Sequence, residues 1–526
     1  MNYQITMDKL EYYKRRYKRA YSIFTQWISI LQACQHYCVP HRDIFYYTNY
    51  TQGAQKNGKV YDTTQVAATR ALTSKLQSTL TPPGQTWAIL EAGNDFPSEE
   101  KKAVNEYLQY ATDTIFNYIR HSNFDLAINE CYHDLVIGTA CLQINPTDSD
   151  DMPFICYSVP LAQLCFEESI NGYIESAYRT WGEVRISEIE IMWPQAVLPQ
   201  WMLEQLKMDP NSTIKNLYEG VVYMHGDKKP YKYVLWIDSD ILLEEEDTSP
   251  KWIIFRWSKT NNEIFGRGPA IEALPSIMSL QEVMRLELTS ANLNICKPYM
   301  AYSDGVFNPY TFRIEANTVI PVSPSSNGQW PIQPMPDVAN PAFMQLTAND
   351  LRMQINKLMF NEPLGQPDNP TKTATELAIR QRTLAEEIGP AFTRLQQEFM
   401  SKVIQRFIHL LQARGLLEPL VVNGRSIQIR YQSPLVVAQG HQDVQGYVDY
   451  VQIIQTILGP EIATIIQHPV EVPSWIAEKL NINKTLLPDR QKLEQFLEEK
   501  GKQQNEMQQA EIGVLQNEQR NAAATG

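Results

Sequence analysis

The prolines and glycines between Gly266 and Gly415 restrict this chain more than any other feature. Each one removes a backbone donor or frees a dihedral at a fixed place. Gly266, Gly268, Pro269 and Pro275 precede a helical pattern that runs from Ser276 to Cys296. In it Ser279 and Glu282 have capping-box spacing, and Pro298 stops it. Residues 299–339 are rich in Pro, Tyr and Ser, with strand-like pieces at "YTFRIEA" and "TVIPV". A second helix then opens with Asn340 as N-cap and Pro341 as its first residue, and reaches Phe360. "NEPLGQPDNPTK", a loop stiffened by Pro363, Pro367 and Pro370, follows it. A third helix starts at Thr373, with Glu376 completing a capping box, and Gly415 ends it; Gly389-Pro390 must bend it. The pattern is therefore two mid-length helices around a Pro-rich insert, a short stiff loop, and a bent helix.

On either side the periodicity changes class. The first third has apolar residues at helical spacing: Tyr17, Ile23, Trp27, Ile30 and Leu31, then Val66, Leu72, Leu76 and Leu80 behind an Asp62 N-cap. Further helical patterns cover 98–119 and 124–137. From Phe154 to Trp257 short aromatic and β-branched runs such as "YIESAYRTW", "YEGVVYM", "YKYVLWID" and "WIIFRWS" predict strands of a mixed or antiparallel sheet. The run Glu244-Glu245-Glu246-Asp247 reads as a solvated hairpin edge, and "VVNGRSIQIRY" as a hairpin turning at Asn423-Gly424. Beyond Ser433 the chain reads as helical, with a Gln-rich end that has few apolar anchors. The class is α+β, and 526 residues imply several domains or subregions.

Most chemistry is excluded by what the motifs lack. "GAQKNGKV" (Gly53 to Val60) resembles a phosphate-binding loop, but Val60 stands where the Mg²⁺-binding hydroxyl belongs, and "YYTNYTQ" before it is not a core strand. It reads as an exposed turn of Lys56, Asn57, Gly58 and Lys59. No nucleophile elbow and no H-E-x-x-H motif occurs. Cys34, His36, Cys38 and His41 lack a second ligand pair, so buried thiols at a helix end are expected, with neither metal nor cofactor. "GRG" at Gly266 to Gly268 reads as a hinge and not a phosphate nest. Seven scattered cysteines fit a reducing compartment, no apolar run spans a bilayer, and no secretory h-region follows the N-terminus. A soluble, cytoplasmically made protein is the expectation. A net charge of −13 argues against a protein that grips nucleic acid over its whole surface.

Four strings carry a resemblance: "DTTQVAATRALTSKLQSTLTPPGQTW", "FRWSKTNNEIFGRGPAIEALPSIMSLQEV", "TATELAIRQRTLAEEIGPAFTRLQQEF" and "YQSPLVVAQ". In this order the chain resembles the portal (head-to-tail connector) proteins of short-tailed, T7-like bacteriophages. The resemblance implies a non-enzymatic ring, usually of twelve subunits, at one capsid vertex of a virion assembled in the bacterial cytoplasm. Double-stranded DNA would pass through it without sequence recognition. The partners implied are the major capsid protein, scaffolding protein, terminase motor, tail adaptor and internal core proteins, with no membrane.

Carried onto this sequence, the resemblance makes residues 1–275 the wing and 276–298 and 340–360 the stem helices. The clip would be 299–339, with Tyr302, Phe307, Tyr310 and Arg313 as interface residues. Residues 361–372 would be the tunnel loop (Asn361, Pro363, Pro367, Asn369 and Pro370), crowned by Lys372. A wing helix kinked at Gly389 and Pro390, with the hairpin, would fill 373–432, and the crown 433–526. The channel would take the polar face of the second stem helix: Gln345, Asn349, Arg352, Asn356 and Lys357. Arg352 and Lys357 have a second reading, as partners of carboxylates on a neighbouring subunit. Two rival readings are an internal ejection scaffold and a packaging ATPase.

Overall fold

The computed structural model describes residues 9–42, 56, 58, 60–93, 98–295, 299–301, 332–334, 341–361, 389–418, 427–431, 434–458 and 471–479. The chain divides into two compact units: Met1–Gln77, Thr114–Pro370 and Pro390–Pro419 form the first, and Ser78–Asp113, Thr371–Gly389 and Leu420–Gly526 the second.

In the first unit the helices are α1 (Lys9–Cys38), α2 (Thr64–Leu80, shared at its end with the second unit), α3 (Ser98–His121, shared at its start) and α4 (Phe124–Ile137). A five-stranded antiparallel sheet is ordered β10-β9-β8-β5-β4, using β4 (Leu164–Glu168), β5 (Ile174–Trp181), β8 (Leu217–Tyr223), β9 (Tyr231–Trp236) and β10 (Ile241–Asp247). A three-stranded sheet, β11-β2-β3, joins β2 (Thr139–Pro146), β3 (Phe154–Ser158) and β11 (Trp252–Arg256). The short strands β6 (Val184–Arg185) and β7 (Thr213–Ile214) pair with each other. The aromatic runs read as strands are strands, and alternation decides their faces. Tyr178, Tyr218, Val234 and Trp236 share one face of the larger sheet, while Arg179, Glu219 and Tyr233 share the other.

Helix α1 covers the first face. Tyr17 hydrogen-bonds Thr180 at 2.7 Å and packs edge-on against Tyr218 at 4.9 Å, and Lys9 reaches Glu244 at 3.2 Å. On the second face the fully buried Glu219, with Arg179 directly opposite it on β5, accepts from Gln143 (2.9 Å), Trp181 Nε1 (2.8 Å) and the Tyr233 hydroxyl (2.7 Å). Two short helices, α5 (Ile186–Met192) and α6 (Gln200–Met208), interrupt the region read as strands alone. Trp193, which follows α5, donates to the Tyr233 hydroxyl at 2.7 Å and so anchors them to this second face.

The acidic run at Glu244 to Asp247 lies on a hairpin edge, as read, but of its four side chains only Glu246 is exposed. It forms edge strand β10, and each carboxylate has a cation: Lys9 for Glu244, Lys251 for Glu245, Lys232 for Glu246 at 3.1 Å, and Arg406 for Asp247 at 2.6 Å. Ion pairing leaves the strand soluble yet fastened to its neighbours. Cys34 and Cys38 are buried thiols on α1, as expected, and burial pushes Cys38 up to about 12.

In the second unit β1 (Ala88–Ala92) pairs antiparallel with β14 (Ile427–Tyr431), Leu90 opposite Ile429. The strand read as one arm of a local hairpin thus finds a partner more than three hundred residues away; residues 421–426 lie outside the described residues. Helices α10 (Pro434–Leu458) and α11 (Glu471–Lys479) pack through Tyr447 and Trp475, with ring centroids 5.4 Å apart.

Candidate functional site

The helix pair predicted from the proline pattern is present. Helix α7 spans Pro269–Ile295 and α8 spans Pro341–Leu358, and they lie side by side in the first unit. At one end of the pair, β12 (Tyr299–Ala301) runs antiparallel to β13 (Ile332–Pro334), which closes the base of the Pro-rich insert. The first helix starts seven residues before Ser276. Pro269 takes the first helical position, where a missing N–H costs nothing, and the Gly268 carbonyl accepts from Ile271 (3.0 Å) and Glu272 (3.2 Å). Pro275 is inside the helix on an exposed face, and Glu282 pairs with Arg285 instead of capping.

The glycines before α7 are a packing joint. A Cβ on Gly268 would sit 2.3 Å from the Val136 carbonyl oxygen, and one on Gly266 would sit 2.3 Å from that of Gly138. Hydrogen bonds then hold the joint: Gly268 N–H to Ile137 at 2.9 Å and Gly266 N–H to Thr139 Oγ1 at 2.8 Å. The loop presses backbone to backbone on the end of α4, as only glycine allows.

Along α8, Gln345 and Asn349 are exposed, and so is Lys357. Arg352 is different. Its Nε and Nη2 donate to Asp62 Oδ2 at 3.0 and 2.8 Å, and Nη1 donates to Asn349 Oδ1 at 2.9 Å. Asp62 belongs to the N-terminus of α2, where its Oδ1 accepts the Thr64 N–H at 2.8 Å, so one carboxylate both caps a helix and holds the arginine. Burial alone would raise the Asp62 pKa. The Thr64 hydrogen bonds and the Arg352 guanidinium outweigh it and hold the carboxyl below its usual range.

Gln281 of α7 completes the node. Its Oε1 accepts from the Tyr61 and Asp62 N–H groups at 2.7 and 3.0 Å, and its Nε2 donates to the Asp62 carbonyl at 2.9 Å. Gln65, three residues after Asp62, donates to the Asp62 carbonyl at 2.8 Å, and Gln281 takes the Asp62 N–H that a capping box would use. Asn356 bonds the Arg352 carbonyl at 3.0 Å and receives Asn361 Nδ2 at 3.1 Å, and Lys75 donates to the Phe360 carbonyl at 2.6 Å. The end of α8 is thereby fixed by side chains on three segments. Sequence reading missed Gln281 and the second role of Asp62, because nothing local marks a contact across two hundred residues.

The bent helix is described from Gly389 onward. The described part contains a π-helical stretch, Gln396–Met400, followed by α9 (Ser401–Ala413). Glu398 in that stretch binds Arg256 Nη2 at 2.7 Å and accepts its backbone N–H at 3.0 Å, and Arg394 adds a contact at 3.1 Å. Gly415, at φ 71°, ends the helix as predicted. Gly58 lies in an exposed turn; Gly53 and Lys59 of the phosphate-loop lookalike are outside the described residues. So are Tyr302, Phe307, Tyr310, Arg313, Pro363, Pro367, Asn369, Pro370 and Lys372. Among the described residues no group of three His, Cys, Asp or Glu side chains could hold a metal, and no helix is long and apolar enough to cross a membrane.

With this geometry in view, comparisons with known proteins are specific. The family model described as bacteriophage head to tail connecting protein matches residues 10–487. A "Probable portal protein" of Bordetella phage BPP-1 is 21% identical over 441 residues, covering 78% of this chain and 77% of that relative. A "Portal protein" of Salmonella phage epsilon15 is 23% identical over 434 residues, covering 76% and 74%. A chain of "Neck of empty GTA particle computed with C6 symmetry" is 12% identical and covers 74% of this chain and 89% of its own, at a TM-score of 0.36, a likeness too distant to carry an argument.

Proposed function

The chain belongs to the bacteriophage head to tail connecting protein family, and on that basis we propose that it is a portal, the ring at one capsid vertex through which double-stranded DNA enters and leaves. The family match over residues 10–487 carries this reading, and the two phage relatives named portal proteins agree with it. Its work is structural. The motor that consumes ATP is a separate protein, and this chain docks it and later the tail.

Helices α7 and α8 are the stem. Exposed Gln345, Asn349 and Lys357 are the channel-facing candidates, since a conduit for DNA needs few cationic contacts. Each phosphate contact adds counterion-release affinity and slows sliding. Arg352 serves a different purpose, because it ties α8 to the start of α2 within one chain, through Asp62. Asn356 works with it. The stem pair also exposes Leu286, Leu293, Leu346 and Met353, apolar surface that a lone subunit would leave in water and that neighbouring stems cover in a ring. The segments 299–339 and 361–372 remain the proposed clip and tunnel loop.

Light scattering and negative-stain imaging test this directly. A closed ring with a central hole is expected, with no ATP hydrolysis by the pure protein. A monomer that persists with scaffolding and capsid proteins present would sink the reading, and intrinsic ATPase activity would revive the motor.

A further inference from the structure

The wing sheet has charged, incompletely covered surfaces of opposite character on its two faces. Helix α6 is nine residues long with one buried residue, Met202. Around it Ile191 is 77% exposed, Val197 75%, Met208 87% and Trp201 41%. Trp201 and Met208 are seven residues apart, two helical turns, and so share one face. Several exposed apolar side chains within one short segment mark a binding surface, and a half-exposed Trp is a frequent anchor of one. Its exposed charges are mostly acidic: Glu190 and Glu204 outnumber Lys207, and Glu188 is spent on Arg185 at 2.7 Å.

The opposite face of the same sheet carries α1, whose outer side is basic. From Lys9 to Arg19 the sequence has six cations and one acid, Glu11. Tyr13 and Ala20 point inward, while Lys18, Tyr21 and Arg15, the last paired with Glu11 at 2.7 Å on the surface, face solvent. Arg and Tyr are the residue types most enriched at interfaces. Because α1 sits on the Tyr218/Trp236 face and α5–α6 on the Tyr233 face, the two surfaces cannot meet within one chain.

We propose that the acidic, apolar α5–α6 surface of one subunit docks on the basic outer side of α1 in a second copy of this chain. This rests on the ring reading above. Cyclic assembly needs a heterologous contact between two different, complementary patches on opposite sides of the subunit, and these two satisfy that condition. The chain's charge of −13 makes neighbours repel on average, so a local opposite-charge contact also fixes which faces meet. Trp201 and Met208 supply the apolar anchor, and Glu190 and Glu204 approach Lys18 and Arg15 of the neighbour, where Arg15 gives up its exposed pair with Glu11.

The test uses the full chain. Two singly substituted proteins, K18C and E204C, are co-assembled and treated with a short flexible bismaleimide. The described native cysteines are buried, and Cys296, outside the described residues, is replaced by Ser in both proteins, which leaves the new thiols to react. Cross-linked dimers are expected in the mixture and in neither protein alone. In parallel, R15E/K18E and E190K/E204K should each lower the fraction in rings at least tenfold at low salt, and mixing the two proteins or combining the changes should restore it. Rings of full mass with no mixed cross-link, or no rescue by the combined reversal, would overturn the contact and leave the ring standing. An unsubstituted chain that stays monomeric would overturn the ring reading itself.

Discussion

A single carboxylate shows how much one residue does here. Asp62 caps α2, accepts Arg352 at 2.8 Å, and is itself held through its backbone by Gln281. Arg352→Ala should cost about 2 kcal/mol, the scale of a lost charged hydrogen bond, reduced because the Arg352 side chain is 36% exposed. Urea titration of the variant checks it. Asp62 has a lowered folded pKa, so its contribution is present above the unfolded carboxylate value, about 4, and is lost as pH falls through the folded one. The stability gap between the native protein and Asp62→Asn should therefore be full at pH 7 and shrink by pH 3, as paired denaturation curves would show. A gap that widened in acid would contradict the assignment. At the joint before α7, Gly268→Ala should cost about 3 kcal/mol by forcing a methyl into the Val136 carbonyl, read as a lowered Tm.

Among the secondary-structure elements, the π-helical stretch is the clearest departure from regularity. Its Glu398 fills a buried site in which Arg256 also contacts Glu168 at 3.2 Å, and Phe399 packs on Phe255 with centroids 4.5 Å apart. The extra residue of a π-turn lets Glu398 and Phe399 both point at β11. Glu398→Ala removes one carboxylate from a guanidinium that is 2% exposed, leaving it Glu168, and should cost about 3 kcal/mol, with Glu398→Gln milder because it keeps an acceptor. Equal losses in calorimetry would argue that the charge alone, and not the retained acceptor or packing, sets the cost. Beyond it α9 is fastened again, by Arg406 and His409 on Asp247 at 2.6 and 2.7 Å. Burial tends to raise the Asp247 pKa, but those two partners hold it far below the usual range.

For the whole molecule the ring is the unit of function. Twelve copies of a 60.5 kDa chain would weigh roughly 0.7 MDa, and a heterologous contact that closes gives one species, not a distribution of lengths. A channel works by not holding its cargo. Asn349→Lys would place a new cation in every subunit of the ring, so isolated rings should gain DNA binding that falls steeply with salt, and phage carrying the change should package more slowly. A gel shift across a salt series reads the first effect; no new binding would place Asn349 away from the channel.

Elements with local causes could be read from the order of residues. Pro341 opens α8, Gly415 closes α9, and alternating aromatics make β5, β8 and β9, because dihedral limits and side-chain period act within a few residues. The family was legible for the same reason, as ordered strings along most of the chain. Folding in three dimensions settled the rest. It gave β14 to β1, turned a basic residue of the supposed channel face toward Asp62, gave each carboxylate of the acidic edge a cation, and used Gly266 and Gly268 for backbone contact with α4. Apart from the local Glu245 and Glu246 pairs, each rests on a contact between residues more than a hundred positions apart. No local propensity encodes such a pairing; it exists only once burial and charge neutralisation have been settled for the folded chain as a whole.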